Sequence, residues 1–196
     1  MSAWNDFLEK VKQAESELGN PREIWYRGHS QESWKLNPSL HRYSDWESKE
    51  KELFSEFSQT ASRLFDKRNN DWEILFDMQH YWIPTRLLDW TTVMGFDYKS
   101  IYWEHSPVKI EKPIAVRPHQ QSARLLAQKG VFTVHGNLND SFENNATNCY
   151  RKIILPNEAK DEARTFLKWA NLDEYTIYPD IVGMSQHIKR KILKGE

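Results

Sequence analysis

Large aromatic side chains must build much of the core of this chain. The 196 residues include 9 Trp, 8 Tyr and 9 Phe, whereas only 39% of all residues are hydrophobic. A buried Trp or Tyr carries an N–H or O–H group that needs a hydrogen-bond partner. Several aromatics also adjoin charged residues, as in Trp25-Tyr26-Arg27 and Asp89-Trp90. We therefore expect places where rings and polar groups meet, either in a cleft that stacks a planar ligand or at the edge of an amphipathic core.

Charge and cysteine content exclude several classes of protein. The chain has 27 basic and 28 acidic residues and a net charge of -1, which argues against general binding to nucleic acid or to a membrane surface. The lone Cys149 excludes an internal disulfide and a cysteine-based zinc site. No apolar run is long enough to span a bilayer, and the polar N-terminus does not resemble a signal peptide. We expect a cytoplasmic protein without membrane contact.

Hydrophobic periodicity predicts an α+β fold. Helices are expected over residues 3–18, about 45–65, 71–81 (with Asp71 as N-cap), from Pro156 onward and from about Asp180 onward. Strands are expected over residues 23–26, 114–116, 125–134 and 150–155, with a polar loop over 136–148 and no clear pattern between Gly95 and Pro118. We predict one domain over residues 1–196, with a small mixed or antiparallel sheet, an N-terminal helix within 1–20 and a C-terminal helix over 180–194.

The common catalytic signatures are absent from the sequence. It has no glycine-rich phosphate loop, no His-Glu-x-x-His helix and no serine in a nucleophile elbow. The seven histidines lack the spacing of a metal site, so no metal is expected. Asp66, Asp71 and Asp77 do not form the carboxylate cluster of a metal-dependent nuclease. The basic run Lys189-Arg190-Lys191 is typical of a solvated helix face.

Four blocks of sequence together resemble the FRG domain family. The first is Trp25-Tyr26-Arg27-Gly28, followed by Trp34-x-Leu36-x-Pro38-Ser39-Leu40, and the second is Gln79-His80-Tyr81-x-x-Pro84-Thr85-Arg86-Leu87-Leu88-Asp89-Trp90-Thr91. The third is Arg124-x-x-x-Gln128-x-Gly130-x-Phe132-Thr133, and the fourth is Tyr178-Pro179-Asp180-x-x-Gly183. The blocks follow the family's order, and the resemblance covers residues 25–183. The second block is the most specific of the four.

The sequence departs from the family's pattern after the second block. FRG domains usually continue there into a helix with an Ala-Leu-x-Phe-Ala-like run, whereas here Phe96 is followed at once by Asp97-Tyr98-Lys99-Ser100. Residues missing from the chain after Phe96 would account for this, and would explain why residues 95–118 show no clear pattern.

The two arginines of the first two blocks are candidate ligand contacts. Arg27 ends an aromatic strand and precedes Gly28, which allows a ligand or another backbone to approach. Its planar guanidinium suits a phosphate or a carboxylate, or else an ion pair with Asp89. Arg86 either pairs with Asp89 or Asp77 or faces a ligand.

Hydroxyl, amide and imidazole groups complete the candidate site. Thr91 and Thr92 either bind a ribose or cap a helix, Gln128 either orients a ribose hydroxyl or satisfies buried backbone, and His80 either contacts a ligand or is a core histidine.

A more distant resemblance, to ADP-ribosyltransferases of the Arg-Ser-Glu type, implies NAD as the substrate. In that family an arginine holds the NAD phosphates, and here Arg27, the run Asp89–Thr92 and Gln128 follow the same order. The resemblance implies catalytic roles for Arg27 and Gln128. It implies NAD binding by Tyr26, Arg27, Gly28, His80, Arg86, Trp90, Thr91 and Thr92. No glutamate stands in the third block, and Glu104, Glu111 and Glu143 are the nearest alternatives.

The sequence thus leaves two functions open. One is an ADP-ribosyltransferase-like or NAD-cleaving enzyme that takes a small-molecule nucleotide and acts as a toxin or antiphage defence effector in a bacterial or phage conflict system. The other is a non-enzymatic module that binds a protein or nucleic-acid partner, in which Arg, Asp and Trp residues form a structural network.

Overall fold

The computed structural model describes residues 2–61, 70–92, 113–118, 123–136, 139, 141–146 and 148–193. Contacts between residues divide the chain into two compact units. The first unit comprises residues 1–24, 120–130 and 148–196, and the second comprises residues 25–119 and 131–147. The mixture of helices and a sheet confirms the predicted α+β class, while a single domain over residues 1–196 stays a prediction.

The helices and strands have the following bounds. The helices are α1 (Ala3–Glu17), α2 (Trp46–Ala61), α3 (Asp71–His80), α4 (Ala123–Gln128), α5 (Phe142–Asn145), α6 (Lys160–Trp169), α7 (Glu174–Ile177) and α8 (Ile181–Leu193), with 3-10 turns at Ser39–Arg42 and Asn157–Ala159. The strands are β1 (Trp25–Tyr26), β2 (Leu87–Thr92), β3 (Ile114–Val116) and β4 (Gly130–Val134).

Several predicted elements need correction. Asn70, not Asp71, caps α3, because its Oδ1 accepts from the N–H groups of Trp72 and Glu73. The strand predicted from residue 125 begins only at Gly130, and the residues before it form α4.

Two further predictions fail in the C-terminal half. The polar loop over 136–148 contains the helical turn α5. Residues 150–155 form no strand: Arg151 bonds to Glu17 of α1 rather than joining a ladder, and Ile154 is 51% exposed. The predicted end of α2 at residues 62–65 and the suspected gap after Phe96 lie outside the described residues.

The sheet of the second unit has the strand order β1-β2-β4-β3. β1 pairs antiparallel with β2, so that Trp25 lies opposite Thr92 and Tyr26 opposite Thr91. β3 pairs antiparallel with β4. The dense mixture of aromatic and charged residues in Ile24–Arg27 and Arg86–Trp90 predicts that these two segments lie side by side, and the pairing of β1 with β2 confirms this prediction. The end of β1 thus places Arg27 beside β2.

The apolar face of α3 packs into the core of the second unit. Phe76 stacks on Phe132 of β4 with 5.4 Å between the ring centroids. Trp72, Leu75 and Met78 of the same helix are at most 2% exposed. Burial of such side chains supplies about 1.5–3 kcal/mol each relative to exposure, so this face fixes α3 and the loop after it.

The first unit is held by contacts between helices. Trp4 of α1 packs against Phe166 of α6 with 5.6 Å between ring centroids. Asp180 caps α8, because its Oδ1 accepts from the N–H groups of Val182 and Gly183. Gly183 faces the backbone of Tyr178 so closely that a Cβ atom there would lie 1.9 Å from the Tyr178 carbonyl oxygen. The fourth block is thus a helix start at which only glycine fits.

Substitution of Gly183 tests this packing. We expect Gly183→Ala to lower the free energy of unfolding by about 3 kcal/mol, because the added methyl group must displace backbone. Chemical denaturation measures the change. Gln186→Ala, on an exposed position of the same helix, is the control and should change stability by less than about 0.5 kcal/mol. Equal stability of the two variants would contradict the close approach.

Three helices end in the same hydrogen-bonding pattern, but with different residues in the left-handed position. At the end of α3, the Ile83 N–H donates to the Met78 carbonyl (2.9 Å) and the Trp82 N–H donates to the Gln79 carbonyl (3.2 Å). The corresponding left-handed residues are Gly19 (φ 83°) after α1 and Asn171 (φ 53°) after α6, whereas Trp82 (φ 61°) occupies the position after α3. Glycine and asparagine tolerate this conformation, and a tryptophan is strained there.

The strain at Trp82 gives a second prediction. We expect Trp82→Gly to raise the free energy of unfolding by up to about 1 kcal/mol, because glycine adopts the left-handed conformation without the Cβ clash. Asn171→Gly is the matched control and should change little. Thermal melting of both variants measures the difference. A loss of stability in Trp82→Gly would show instead that contacts of the indole outweigh its backbone strain.

Candidate functional site

Arg27 is held at the end of β1 by two neighbours. Its Nε donates to Nε2 of His29 at 3.0 Å, and its Nη1 donates to the main-chain carbonyl of Asp89 at 2.5 Å. The same Nη1 lies 3.7 Å from Oδ2 of Asp89. Burial lowers the pKa of Arg27, the charge of Asp89 opposes this shift, and the nearby charge of Arg42 adds to it. Arginine stays protonated despite such shifts, so the group is a fixed cation.

Asp89 is oriented by side chains of its own sequence block. Its Oδ2 accepts from Nε2 of Gln79 at 2.8 Å, and Oε1 of Gln79 accepts from the Thr85 hydroxyl at 2.5 Å. The Leu87 N–H donates to the same hydroxyl at 3.0 Å. The spacing of Gln79, Thr85 and Asp89 thus builds a chain of hydrogen bonds from the end of α3 to β2.

The side chain of Arg27 remains partly accessible to solvent. Arg27 retains 24% side-chain exposure, and its Nη2 has no hydrogen-bond partner among the residues that the structure describes. Trp34 is 56% exposed and lies edge-on to His29, the partner of Arg27, with 6.0 Å between the ring centroids. We call Arg27, His29, Trp34 and Asp89 the Arg27 surface. It combines an oriented cation with an accessible indole.

Arg86 lies in the interior rather than on this surface. It is 4% exposed, its Nε donates to Oε1 of Glu50 at 2.6 Å, and its Nη2 bonds to Oε2 of the same carboxylate. Its Nη1 also donates to the His135 carbonyl at 3.2 Å. Glu50 was not among the site residues predicted from the sequence. Its burial could have been predicted from the sequence, because Glu50 lies one turn after Trp46 and one turn before Leu53 on the buried face of α2.

Trp90 belongs to a second buried polar network. Its Nε1 donates to the Thr133 hydroxyl at 2.9 Å, and that hydroxyl lies 2.9 Å from Nε2 of His135. The tautomer of His135 decides the direction of this second bond, because the hydroxyl can either donate to Nε2 or accept from it. Burial and, to a smaller extent, the charge of Arg86 lower the pKa of His135 to about 4, against the opposing effect of Glu143. His135 is therefore neutral at neutral pH.

The remaining predicted site residues are more scattered. Tyr26 and Thr91 are exposed cross-strand neighbours. His80, the last residue of α3, lies edge-on to the Tyr81 ring at 4.8 Å between centroids. Gly28 is exposed, and a Cβ there would meet no described atom within 4 Å, so no close contact with the described protein requires this glycine. The side chain of Thr92 lies outside the described residues, although its backbone pairs with Trp25.

Gln128 lies in the first unit, at the end of α4. The other predicted site residues belong to the second unit. Arg124, from the same block, stacks its guanidinium on Tyr178 of the fourth block at 4.7 Å from the ring centroid. The third and fourth blocks thus meet within the first unit. Of the alternative glutamates, Glu104 and Glu111 lie outside the described residues, and Glu143 lies in α5.

Two classes of feature are missing from the described part of the chain. Its His, Cys, Asp and Glu side chains include no group of three or more that could hold a metal ion. None of its helices has the length and apolar character needed to cross a membrane.

The two ion pairs differ in burial, and this difference predicts their contributions to stability. Glu50→Ala leaves the Arg86 cation buried without its carboxylate and should cost about 3–5 kcal/mol. Asp89→Ala should cost about 1 kcal/mol or less, because that carboxylate is 55% exposed and its main-chain carbonyl still accepts from Arg27. Denaturant titration of both variants measures the contrast. Equal losses would show that Asp89 is as structural as Glu50.

Comparison with known proteins identifies the segment that builds this surface. Residues 22–95 match the FRG domain family. The matched segment contains the first and second blocks, whereas the third and fourth blocks lie beyond it. No curated protein and no solved structure matches the chain. Over residues 22–95, this chain is thus similar to the FRG domain.

Proposed function

We propose that the Arg27 surface binds a nucleotide through its phosphate groups, with NAD as the first candidate. The observation that carries this proposal is the Nη2 group of Arg27, which has no partner among the described residues while Nε and Nη1 are engaged. A guanidinium held in this way loses little conformational freedom when an anion binds. It can donate charge-assisted hydrogen bonds to phosphate oxygens.

Local electrostatics support an anionic ligand. Asp89 neutralises Arg27 only in part, because the carboxylate lies 3.7 Å away, is half exposed and also accepts from Gln79. Arg42 stands close enough to influence the pKa of Arg27. The charge of Arg42 therefore adds to that of Arg27, which Asp89 offsets only in part, and this leaves positive potential near Arg27.

An exposed indole supports a ligand with a planar ring. Trp34 offers a face beside the phosphate-binding cation, and stacking of a base on an aromatic side chain contributes about 1–3 kcal/mol. A nucleotide joins the two required groups, a phosphate and a base. Tyr26 and Thr91, exposed on the neighbouring strands, are further candidates for contact with such a ligand.

With NAD bound, the reaction class we propose is cleavage of the nicotinamide–ribose bond, with transfer of ADP-ribose to a target or to water. This step develops positive charge on the ribose and depends on anchoring and orientation of the substrate more than on a strong nucleophile. Arg27 would anchor the diphosphate, and Trp34 would orient a ring. A role for Gln128, and a role of the protein as a toxin or antiphage effector, stay predictions.

Titration of NAD by calorimetry tests the proposal. Arg27→Ala should weaken binding about tenfold to a hundredfold, since each charge-assisted hydrogen bond contributes about 1.5–3 kcal/mol. Arg27→Lys should rescue binding only in part, because an ammonium lacks the planar fork. Arg164→Ala, an exposed arginine of the first unit, is the control. NAD-dependent release of nicotinamide then tests the reaction. Wild-type protein that does not bind millimolar NAD would refute the proposal.

A non-enzymatic binding module is the second candidate. The observation that favours it is Trp82, which is 71% exposed and held in a strained backbone conformation at the end of α3. Exposed tryptophans are enriched among the residues that dominate protein interfaces. Unchanged partner binding by Arg27→Ala, together with loss of binding by Trp82→Gly, would favour this function over the nucleotide site.

A further inference from the structure

His29 contacts both of the groups that the Arg27 surface offers to a ligand. Its Nε2 accepts from Nε of Arg27 at 3.0 Å, and its ring lies edge-on to the ring of Trp34 at 6.0 Å between centroids. The imidazole itself is partly buried. Only Gly28 separates His29 from Arg27 in the chain, so both side chains belong to the segment directly after β1. One side chain thus connects the cation with the indole.

The bond from Arg27 fixes the tautomer of His29. A guanidinium carries N–H groups only and cannot accept a hydrogen bond. Nε2 of His29 must therefore carry a lone pair, and the proton of the neutral imidazole must reside on Nδ1. A proton on Nε2 would face the Nε–H group of Arg27 and break the contact. The contact therefore exists only in the neutral imidazole whose proton is on Nδ1.

Two anchors on different nitrogens orient the Arg27 guanidinium. His29 holds Nε, and the main-chain carbonyl of Asp89 holds Nη1 at 2.5 Å. Because the guanidinium is planar and rigid, bonds at these two nitrogens restrict the position of the third, Nη2. The Asp89 carbonyl belongs to the backbone of β2, and no substitution removes it. The acceptor on His29 comes from a side chain, so its contribution can be measured.

We infer that His29 is the positioning residue of the proposed nucleotide site, where it orients Arg27 so that Nη2 can donate to a phosphate. This inference rests on the proposed function. A long side chain that is ordered before the ligand arrives loses less conformational freedom on binding, which raises the affinity without a further contact to the ligand. His29 acts through Arg27 and is not itself the phosphate contact.

Calorimetric titration of NAD tests this role with two variants of similar size. His29→Leu removes the acceptor and should weaken NAD binding about threefold to tenfold, because Arg27 must then be ordered on binding. His29→Gln keeps an acceptor oxygen for Nε of Arg27 and should bind NAD within about twofold of the wild type. Ser30→Ala, at the exposed position next to His29, is the control and should bind NAD as the wild type does. Unchanged binding in His29→Leu, or equal losses in His29→Leu and His29→Gln, would overturn the inference.

Nitrogen NMR of the imidazole rings tests the geometry without a ligand. At alkaline pH, where ordinary imidazoles are neutral, the His29 ring of the wild type should carry its proton on Nδ1. The signal that is absent in His29→Gln identifies this ring. Arg27→Ala removes the donor, so the His29 ring should then populate the tautomer with its proton on Nε2 as well. A proton on Nε2 in the wild type, or identical tautomers in the wild type and Arg27→Ala, would overturn the inference.

The double variant separates positioning from direct contact with the ligand. If His29 acts through Arg27, His29→Leu should not weaken NAD binding further once Arg27→Ala is present. A further loss would show that His29 contacts the ligand itself and would overturn the positioning role. NAD binding that is weakened in Arg27→Ala but unchanged in His29→Leu would overturn the His29 assignment alone. Absence of NAD binding by the wild type would refute the proposed function and, with it, this role of His29.

Discussion

The buried ion pair between Arg86 and Glu50 is the contact on which the second unit depends. It joins α2 to the residue directly before β2, and Arg86 also donates to the His135 carbonyl beyond β4. The backbone continues this link, because the His135 N–H donates to the Arg86 carbonyl at 3.1 Å. Removal of either charge leaves the other in a low-dielectric interior, where an unpaired ion is strongly unfavourable. One guanidinium thus fixes a helix, the start of β2 and the end of β4 together.

The position of the Arg27 surface follows from this arrangement. With β2 anchored at Arg86, the carbonyl of Asp89 lies opposite the end of β1, where it accepts from Arg27. The loop between α3 and β2 is tied to the same strand through Gln79 and Thr85. The buried pair therefore stabilises the scaffold, and the half-buried arginine is placed by it. The two arginines of the first two blocks have different physical roles, although both were candidates for ligand contact.

The sequence predicted most helices and the pairing of the first two blocks, because these depend on local patterns. The spacing of apolar residues predicted α1, α2 and α8, and the mixture of charged and aromatic residues predicted that β1 lies beside β2. Contacts between distant residues were not accessible in this way. The pairing of Arg86 with Glu50 spans 36 residues, and the bond from Leu36 to Glu143 spans 107. The prediction of a strand over residues 150–155 was wrong, because β-branched residues favour a strand only where a neighbouring strand pairs with them, and none pairs with this segment.

Three locally unfavourable features occur within the second unit, and their grouping is informative. Trp82 occupies the left-handed position that glycine fills after α1 and asparagine fills after α6. Glu143 keeps a buried oxygen without a described donor, and Nη2 of Arg27 has no described acceptor. The first two features lower the stability of the free protein, and none of the three is needed to form the core around α3. Local strain and unpaired polar groups are expected where a protein binds a ligand, because the ligand supplies the missing contacts. In the proposed complex, a phosphate group would supply the acceptor that Nη2 of Arg27 lacks.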